Sequence, residues 1–211
     1  MTQLREQVAE VYRELTRLGI NAGSAGNVSA RTQSGMVITR SGASAETISA
    51  DGVVAMSLDG MAEGAIVPSS EWHMHAAIYR GNKRAGAIVH THADACTALA
   101  CLHEPLPAFH YMVLSFGGSD VRCAPYATFG TPELAELAAQ AIQGRSACLL
   151  ANHGMIVHGP DLQAALRSAI LLETLCRQYL LARSAGAPRL LTPADMKAAR
   201  ERFKNYGPKA K

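Results

Sequence analysis

The sequence predicts an α/β protein built on one mostly antiparallel central sheet. Helix and strand signals alternate along the chain, and several strand signals are joined too closely for helical crossovers. No linker, repeat or low-complexity stretch divides the 211 residues, a length at which one domain buries roughly 70% of its unfolded surface. A single domain, 1–211, is expected.

The elements follow in order. A helix runs from about Gln3 to Leu18, apolar at Val8, Val11, Tyr12, Leu15 and Leu18, and "GINAGSAGN" stops it. "GMVITR" and "VVAMSL" read as short strands. A helix opens after Pro68 in "SSEWHMHAAIYR", where either serine can cap the free amides. "AGAIVH" is a buried strand. "TPELAELAAQAI" is a helix with Thr131 as cap and Pro132 in the first helical position. "ACLLANHGMIVHG" gives two β-rich runs around a turn holding Asn152, His153 and Gly154. A long helix from Asp161 to about Arg183 and a last one at "TPAD", where Thr192 and Asp195 make a variant capping box, complete the chain.

Charge and composition exclude several classes of function. Twenty Lys and Arg against seventeen Asp and Glu give +3, with no basic tract long enough to follow a phosphate backbone, so nucleic acid is not an expected partner. No apolar run reaches membrane-spanning length, and the amphipathic first turns are unlike a secretory leader. Cys96, Cys101, Cys123, Cys148 and Cys176 are odd in number and lack C-x-x-C spacing; they read as buried thiols of a cytoplasmic protein.

Histidine carries the first chemical signal. In an extended segment residues i and i+2 project to the same side, so His90 and His92 of "IVHTHAD" can face one ion. A third imidazole must come from elsewhere, and His153, in a tight turn between strands, is the best placed; Glu71 is the most plausible carboxylate. Spacing alone leaves other readings open. Glu71 and His75, four apart on a helix, could simply hydrogen-bond or form a helical metal pair, and a cupin-type site would also use H-x-H, although its later glutamate is missing from "ADACTALA". His73, His75, His103, His110 and His158 show that the chain uses histidine freely.

A second set of stretches suits an anion. "NAGSAGNVSAR" interleaves glycines with Ser24, Asn27 and Ser29, so that backbone amides and short polar side chains can approach a phosphate; no G-K-[ST] follows, so it is not a P-loop. "TRSGAS" adds Ser41 and Gly42, and "PSSE" puts Ser69 and Ser70 near a helix N-terminus.

"GSAGNVSAR", "VPSSEWHMHAAIY", "IVHTHAD", "HYM", "APYATFGT", "ANHG" and "FKNYG", taken in order and spacing, resemble the class II aldolase and adducin head domain family over nearly the whole chain, most closely its L-fuculose-1-phosphate aldolases. The resemblance implies a three-layer α/β/α sandwich around an antiparallel sheet, a homotetramer with active sites at subunit interfaces, and a mobile tail from about residue 204. It implies one Zn2+ per subunit on His90, His92 and His153, with Glu71 on or near the metal at rest; another divalent transition metal would suit the same donors. Ser24, Asn27, Ser41, Gly42, Ser69 and Ser70 fall where these aldolases hold the substrate phosphate. Tyr111 matches a tyrosine that reaches a neighbouring subunit's site, and Tyr206 one on the tail. Phe129 joins them around the distal carbons of the sugar. His73 stands where aldolases carry arginine, which leaves its role open.

The implied reaction is reversible cleavage of a ketose 1-phosphate to dihydroxyacetone phosphate and an aldehyde. The ketose would be L-fuculose 1-phosphate or a 5-deoxy- or 5-methylthio-ribulose 1-phosphate, the latter two placing it in nucleoside salvage. Alternatives in the family are pentulose-phosphate 4-epimerase, methylthioribulose-1-phosphate dehydratase and a non-catalytic adducin-like module. The module would have lost the metal residues, which are all present. Epimerases carry an acidic residue where this chain reads "FHYMV", and dehydration fits Tyr111 and Tyr206 less well.

Overall fold

In the computed structural model, which describes residues 1–203, helix α1 (Thr2–Arg17) buries Val8, Ala9, Val11, Tyr12 and Leu15 along one stripe. Strands β1 (Asn27–Arg31), β2 (Met36–Thr39) and β3 (Val53–Met56) follow as an antiparallel meander. Helix α2 (Trp72–Gly81) leads into β4 (Ala87–Thr91), and helix α3 (Asp94–Ala100) follows it at once. After the two-residue β5 (Cys123–Ala124) come α4 (Pro132–Ala141), β6 (Ala147–Leu150), β7 (Gly154–Gly159), α5 (Leu162–Ala185) and α6 (Pro193–Phe203).

The strands form one sheet in the order β3-β2-β1-β4-β7-β6-β5, antiparallel at every junction except β5 with β6. Successive side chains leave opposite faces of a strand, and the sheet feeds two cores. Val28, Val37, Val89, Leu149 and Val157 pack with the apolar faces of α1, α3 and α5; Met36, Ile38, Ile88, Leu150 and Ile156 pack with those of α2 and α4. Helices on both faces give the three-layer α/β/α sandwich expected from the family resemblance.

Three elements were hidden in the sequence, one of them β5, whose two residues are too few to show an alternation. β1 lies in the second half of the stretch read as an anion loop. Ser29 breaks its apolar alternation because this strand turns a polar row toward α2, where Ser29 is fully buried and bonded to His75 and Tyr79. α3 occupies "DACTALA", seven residues too short to show a helical period. Two local expectations are corrected. α2 starts at Trp72 with Glu71 in the cap position, and neither serine caps it; Ser69 Oγ instead accepts the Glu71 N–H at 3.3 Å. The thiols are not all buried, since Cys101, just past the end of α3, is exposed and Cys123 is half-buried.

Two other caps are as read: Thr131 accepts from Leu134 N–H, and Thr192 and Asp195 bond reciprocally; Asp161, expected as the first residue of the long helix, instead caps it by accepting from Ala164 N–H. α3 is capped from a distance. The carboxylate of Glu173 on α5, 3% exposed, accepts the amides of Ala95 and Cys96 at 3.0 Å each, with Arg177 at 3.4 Å. This bond pins the segment that directly follows His92. Glu173→Ala leaves two buried donors without an acceptor and is expected to cost about 1–3 kcal/mol, with a smaller loss for Glu173→Gln. Urea denaturation checks this; a loss below about 0.5 kcal/mol for the alanine variant would show that the amides find another acceptor.

Candidate metal centre and substrate cleft

The central position of β4 brings the histidines together. His90, fully buried near its end, pairs across the sheet with Asn27 of β1 on one side and Ile156 of β7 on the other. His92 lies one residue beyond the strand and His153 in the turn between β6 and β7. Glu71 enters from the start of α2. Donor atoms of the four lie within 4.8 Å of one another. His90 Nε2 is 3.1 Å from His92 Nε2 and 3.0 Å from Glu71 Oε2, and His153 Nε2 is 3.2 Å from Glu71 Oε1.

Local backbone fits this convergence. A Cβ on Gly154 would sit 2.4 Å from the Thr91 carbonyl oxygen and 3.2 Å from His92 Cα, so only glycine lets β7 start so close to the histidine segment. The turn before it uses Asn152 at φ 53°, whose side-chain oxygen meets His103 Nε2 at 2.5 Å. His103 thus ties the loop after α3 to the turn carrying His153.

The donor chemistry fits a cation. His90 Nδ1 lies 2.8 Å from the Met155 carbonyl oxygen, an acceptor only, so Nδ1 carries the proton and the Nε2 lone pair faces the cluster. That lone pair then meets a carboxylate oxygen and a second imidazole nitrogen, contacts that favour a positive charge between them. Glu71 Oε1 is buried and has no aligned hydrogen-bond donor. Burial raises the Glu71 carboxyl, but His90 and His153 outweigh it and hold the group well below the usual carboxylate range. Burial, with His90 and His153 beside it, pushes the His92 imidazole down to about 4. Near neutral pH the set therefore offers an ionised carboxylate and an uncharged His92, the forms a divalent metal binds.

A cavity of about 140 Å³ opens beside the cluster. All six residues expected at a phosphate line it, namely Ser24, Asn27, Ser41, Gly42, Ser69 and Ser70, together with Glu71, His92 and His153. Arg40 and Phe129 line it too. Arg40 went unnoticed in the sequence because one arginine before Ser-Gly carries no pattern. A larger groove of about 820 Å³, bordered by Leu4, Gln7, Arg31 and Asp161, lies away from the histidines and has no comparable ligand cluster. Tyr111 is half exposed and lines a separate groove with Met112 and Phe203, so within one chain it does not join the cluster. Tyr206 lies outside the described residues. His73 stacks on Trp72 at 3.8 Å, apart from the site, and Glu71 and His75 are joined through Asn27 and do not pair directly.

Residues 6–180 match the family model described as Class II Aldolase and Adducin N-terminal domain. The chain belongs to this family. It is 44% identical over 207 residues to a 5-methylthioribulose-1-phosphate/5-deoxyribulose-1-phosphate aldolase of Rhodospirillum rubrum, covering 98% of this chain and 94% of the relative. It is 42% identical to an L-fuculose phosphate aldolase of Escherichia coli, covering 97% and 96%. A solved structure of an L-fuculose 1-phosphate aldolase superposes with a TM-score of 0.92 at 38% identity, covering 97% of each chain. Among the described residues no helix is long and apolar enough to cross a membrane.

This class II aldolase-type cleft rests on a buried polar row that sequence reading missed. Tyr79 OH and Ser29 Oγ are 2.9 Å apart, Ser29 Oγ and His75 Nδ1 2.7 Å, His75 Nε2 and Asn27 Oδ1 2.6 Å, and Asn27 Nδ2 donates to Glu71 Oε2 at 3.0 Å. Burial, reinforced by His90, pushes the His75 imidazole down to about 3. Its folded pKa is thus below the unfolded value of about 6.5, and between the two the unfolded chain holds the extra proton. The contribution is complete above about 6.5 and is lost as pH falls toward 3. From pH 7 to pH 5 this one group is expected to remove roughly 2 kcal/mol of stability. Denaturation of chelator-stripped protein at both pH values checks it: His75→Gln should lose correspondingly less, and an unchanged pH dependence would show that His75 titrates normally.

Proposed function

We propose that this chain is a metal-dependent aldolase that reversibly cleaves a ketose 1-phosphate to dihydroxyacetone phosphate and an aldehyde. The observation that carries the reading is the junction of two sites in one cleft. Three imidazoles and a carboxylate lie within 4.8 Å of one another, and three of these four side chains, Glu71, His92 and His153, border a cavity lined by serines, glycines and Arg40. Such a cleft suits a substrate with a phosphate at one end and vicinal oxygens at the next carbons. The named activities of the relatives support the same substrate class, L-fuculose 1-phosphate or the 5-deoxy and 5-methylthio ribulose 1-phosphates.

His90, His92 and His153 would hold the metal, with Glu71 as a further ligand at rest; zinc suits three imidazole nitrogens, and one ion per chain is proposed. When bound, the ion supplies an electrophile for the negative charge that C3–C4 cleavage leaves on the ketone half. Ser24, Asn27, Ser41, Gly42, Ser69 and Ser70 grip the phosphate and orient the chain of carbons. Glu71, beside both, returns a proton to C3 after cleavage and removes it in the condensation direction. Tyr111 of a neighbouring copy moves the proton on the C4 oxygen, and Tyr206 is the second tyrosine proposed to act in catalysis. The Tyr111 role needs an oligomer with sites between subunits, proposed as a homotetramer of single catalytic domains, and a cytoplasmic location is proposed in keeping with the free thiols.

Release of dihydroxyacetone phosphate from a panel of ketose 1-phosphates tests the reading. All three phosphorylated sugars are expected to be cleaved, and an unphosphorylated ketose to be nearly inert; equal reaction of the free ketose would overturn the phosphate assignment. His92→Ala is expected to lose metal and activity together, and full metal retention would sink the ligand set. Glu71→Gln should keep its affinity for phosphate compounds and lose about 100-fold or more in turnover. Turnover within a few-fold of the parent would mean that another group carries the proton.

A further inference from the structure

We propose that His75 is a positioning residue for Glu71, acting through the Asn27 amide as one end of a one-way hydrogen-bond chain from Tyr79. The inference rests on the acid/base role proposed for Glu71, and the geometry supplies the rest.

Every member of the chain is buried, with Tyr79, Ser29 and His75 at 0% and Asn27 at 3% exposure, so loss of a partner is costly unless another group replaces it. The ionised carboxylate of Glu71 accepts only, so Asn27 must turn its NH2 toward it, as the 3.0 Å contact shows. That places Asn27 Oδ1, a pure acceptor, against His75 Nε2 at 2.6 Å, and Nε2 must carry the proton. His75 Nδ1 is then the acceptor. Ser29 donates to it at 2.7 Å, and Tyr79 donates to Ser29 at 2.9 Å. One assignment of donors satisfies the whole row. The opposite tautomer would turn the Asn27 carbonyl onto the Glu71 carboxylate at 3.0 Å and bring two acceptors together.

Asn27 also lines the cleft, with its carbonyl and one N–H engaged by His75 and Glu71, which leaves the second hydrogen of its NH2 for a ligand. Its rotamer is set by His75 from α2 and by the β1 backbone, which pairs with His90. Glu71 therefore receives its donor from a fixed direction, and the oxygen so held is the one 3.0 Å from His90 Nε2. Without His75 the amide is free to flip, and the carboxylate loses both a donor and a defined position.

The test measures exchange of the C3 proton of dihydroxyacetone phosphate with deuterium by NMR, a partial reaction that reads Glu71 without the aldehyde. His75→Phe keeps a ring and removes both bonds; the exchange rate at saturation is expected to fall about 10-fold or more, with KM changed less than about threefold and metal content unchanged. His75→Gln, which restores an N–H donor toward Asn27, should recover most of the rate. Should His75→Phe not fold, Ser29→Ala keeps the His75–Asn27 bond, removes the Nδ1 partner together with the acceptor of the Tyr79 hydroxyl, and is expected to lower exchange in the same direction. 15N NMR of the parent should show His75 as the neutral Nε2–H tautomer. The proposal is overturned by exchange within threefold of the parent in His75→Phe or an unchanged rate in Ser29→Ala. Failure of Gln to rescue, or an Nδ1–H tautomer, would overturn it too. Glu71→Gln separates the two readings: if it exchanges at the parental rate, the assignment of Glu71 itself has failed, whereas loss there with normal exchange in His75→Phe fails the relay alone.

Discussion

The fold is organised by the requirement that a buried carboxylate and three imidazoles meet at one point. Taking such groups out of water is costly unless each finds a partner, and here the partners come from segments far apart in sequence. β4 brings His90 and, just beyond its end, His92; the β6–β7 turn brings His153; the start of α2 brings Glu71. Because His90 sits between β1 and β7, any slip of register on either side would move Asn27 or the Met155 carbonyl away from it. The antiparallel pairings of the sheet centre are therefore part of the site. Gly154 is the steric condition for the closest of these approaches.

Support spreads outward from that point in two directions. Toward α2 it runs through Asn27, His75, Ser29 and Tyr79, a row of polar side chains inside an otherwise apolar layer. Toward α3 and α5 it runs through Glu173, whose carboxylate caps the helix that begins two residues after His92. Both are fully satisfied networks, which rigidify a core where a partly satisfied one would weaken it. The cluster is thus held from both faces of the sheet.

The sequence made the chemistry more legible than the scaffold around it. H-x-H at a strand end, a histidine beside a glycine in a turn and three Ser/Gly segments are short patterns with a direct geometric meaning, and the folded chain gathers all of them into one cleft. The strand Asn27–Arg31 is obscured because Asn27 and Ser29 are polar for the sake of the buried row, which removes the apolar signal that marks a strand. His75 looked like a partner of Glu71 by helical spacing, yet an amide from 44 residues earlier lies between them. Arg40, His103 and Glu173 matter through contacts across the fold, and no local pattern announces such contacts.

The dimensions of the cleft bear on how its parts divide the work. At about 140 Å³ the cavity is well below the roughly 300–1,000 Å³ of sites that enclose a drug-sized ligand, and its lining is mostly serines, glycines and the Glu71, His92 and His153 side chains. Phe129, 67% exposed, stands at this cavity, while Tyr111 borders a different groove of about 530 Å³. On the proposed assignment, one chain would provide a tight polar grip for the phosphate and the reacting carbons and only an open aromatic rim for the rest of the sugar. Recognition by such a cleft is demanding where unpaired donors would be left behind, at the phosphate, and permissive at the far end, where one apolar group changes discrimination by only about 1–3 kcal/mol. A methyl, deoxy or methylthio terminus differs by groups of that size. The same physical division that would make the phosphate indispensable under the proposed assignment would leave the identity of the aldehyde to the wall that completes the cleft.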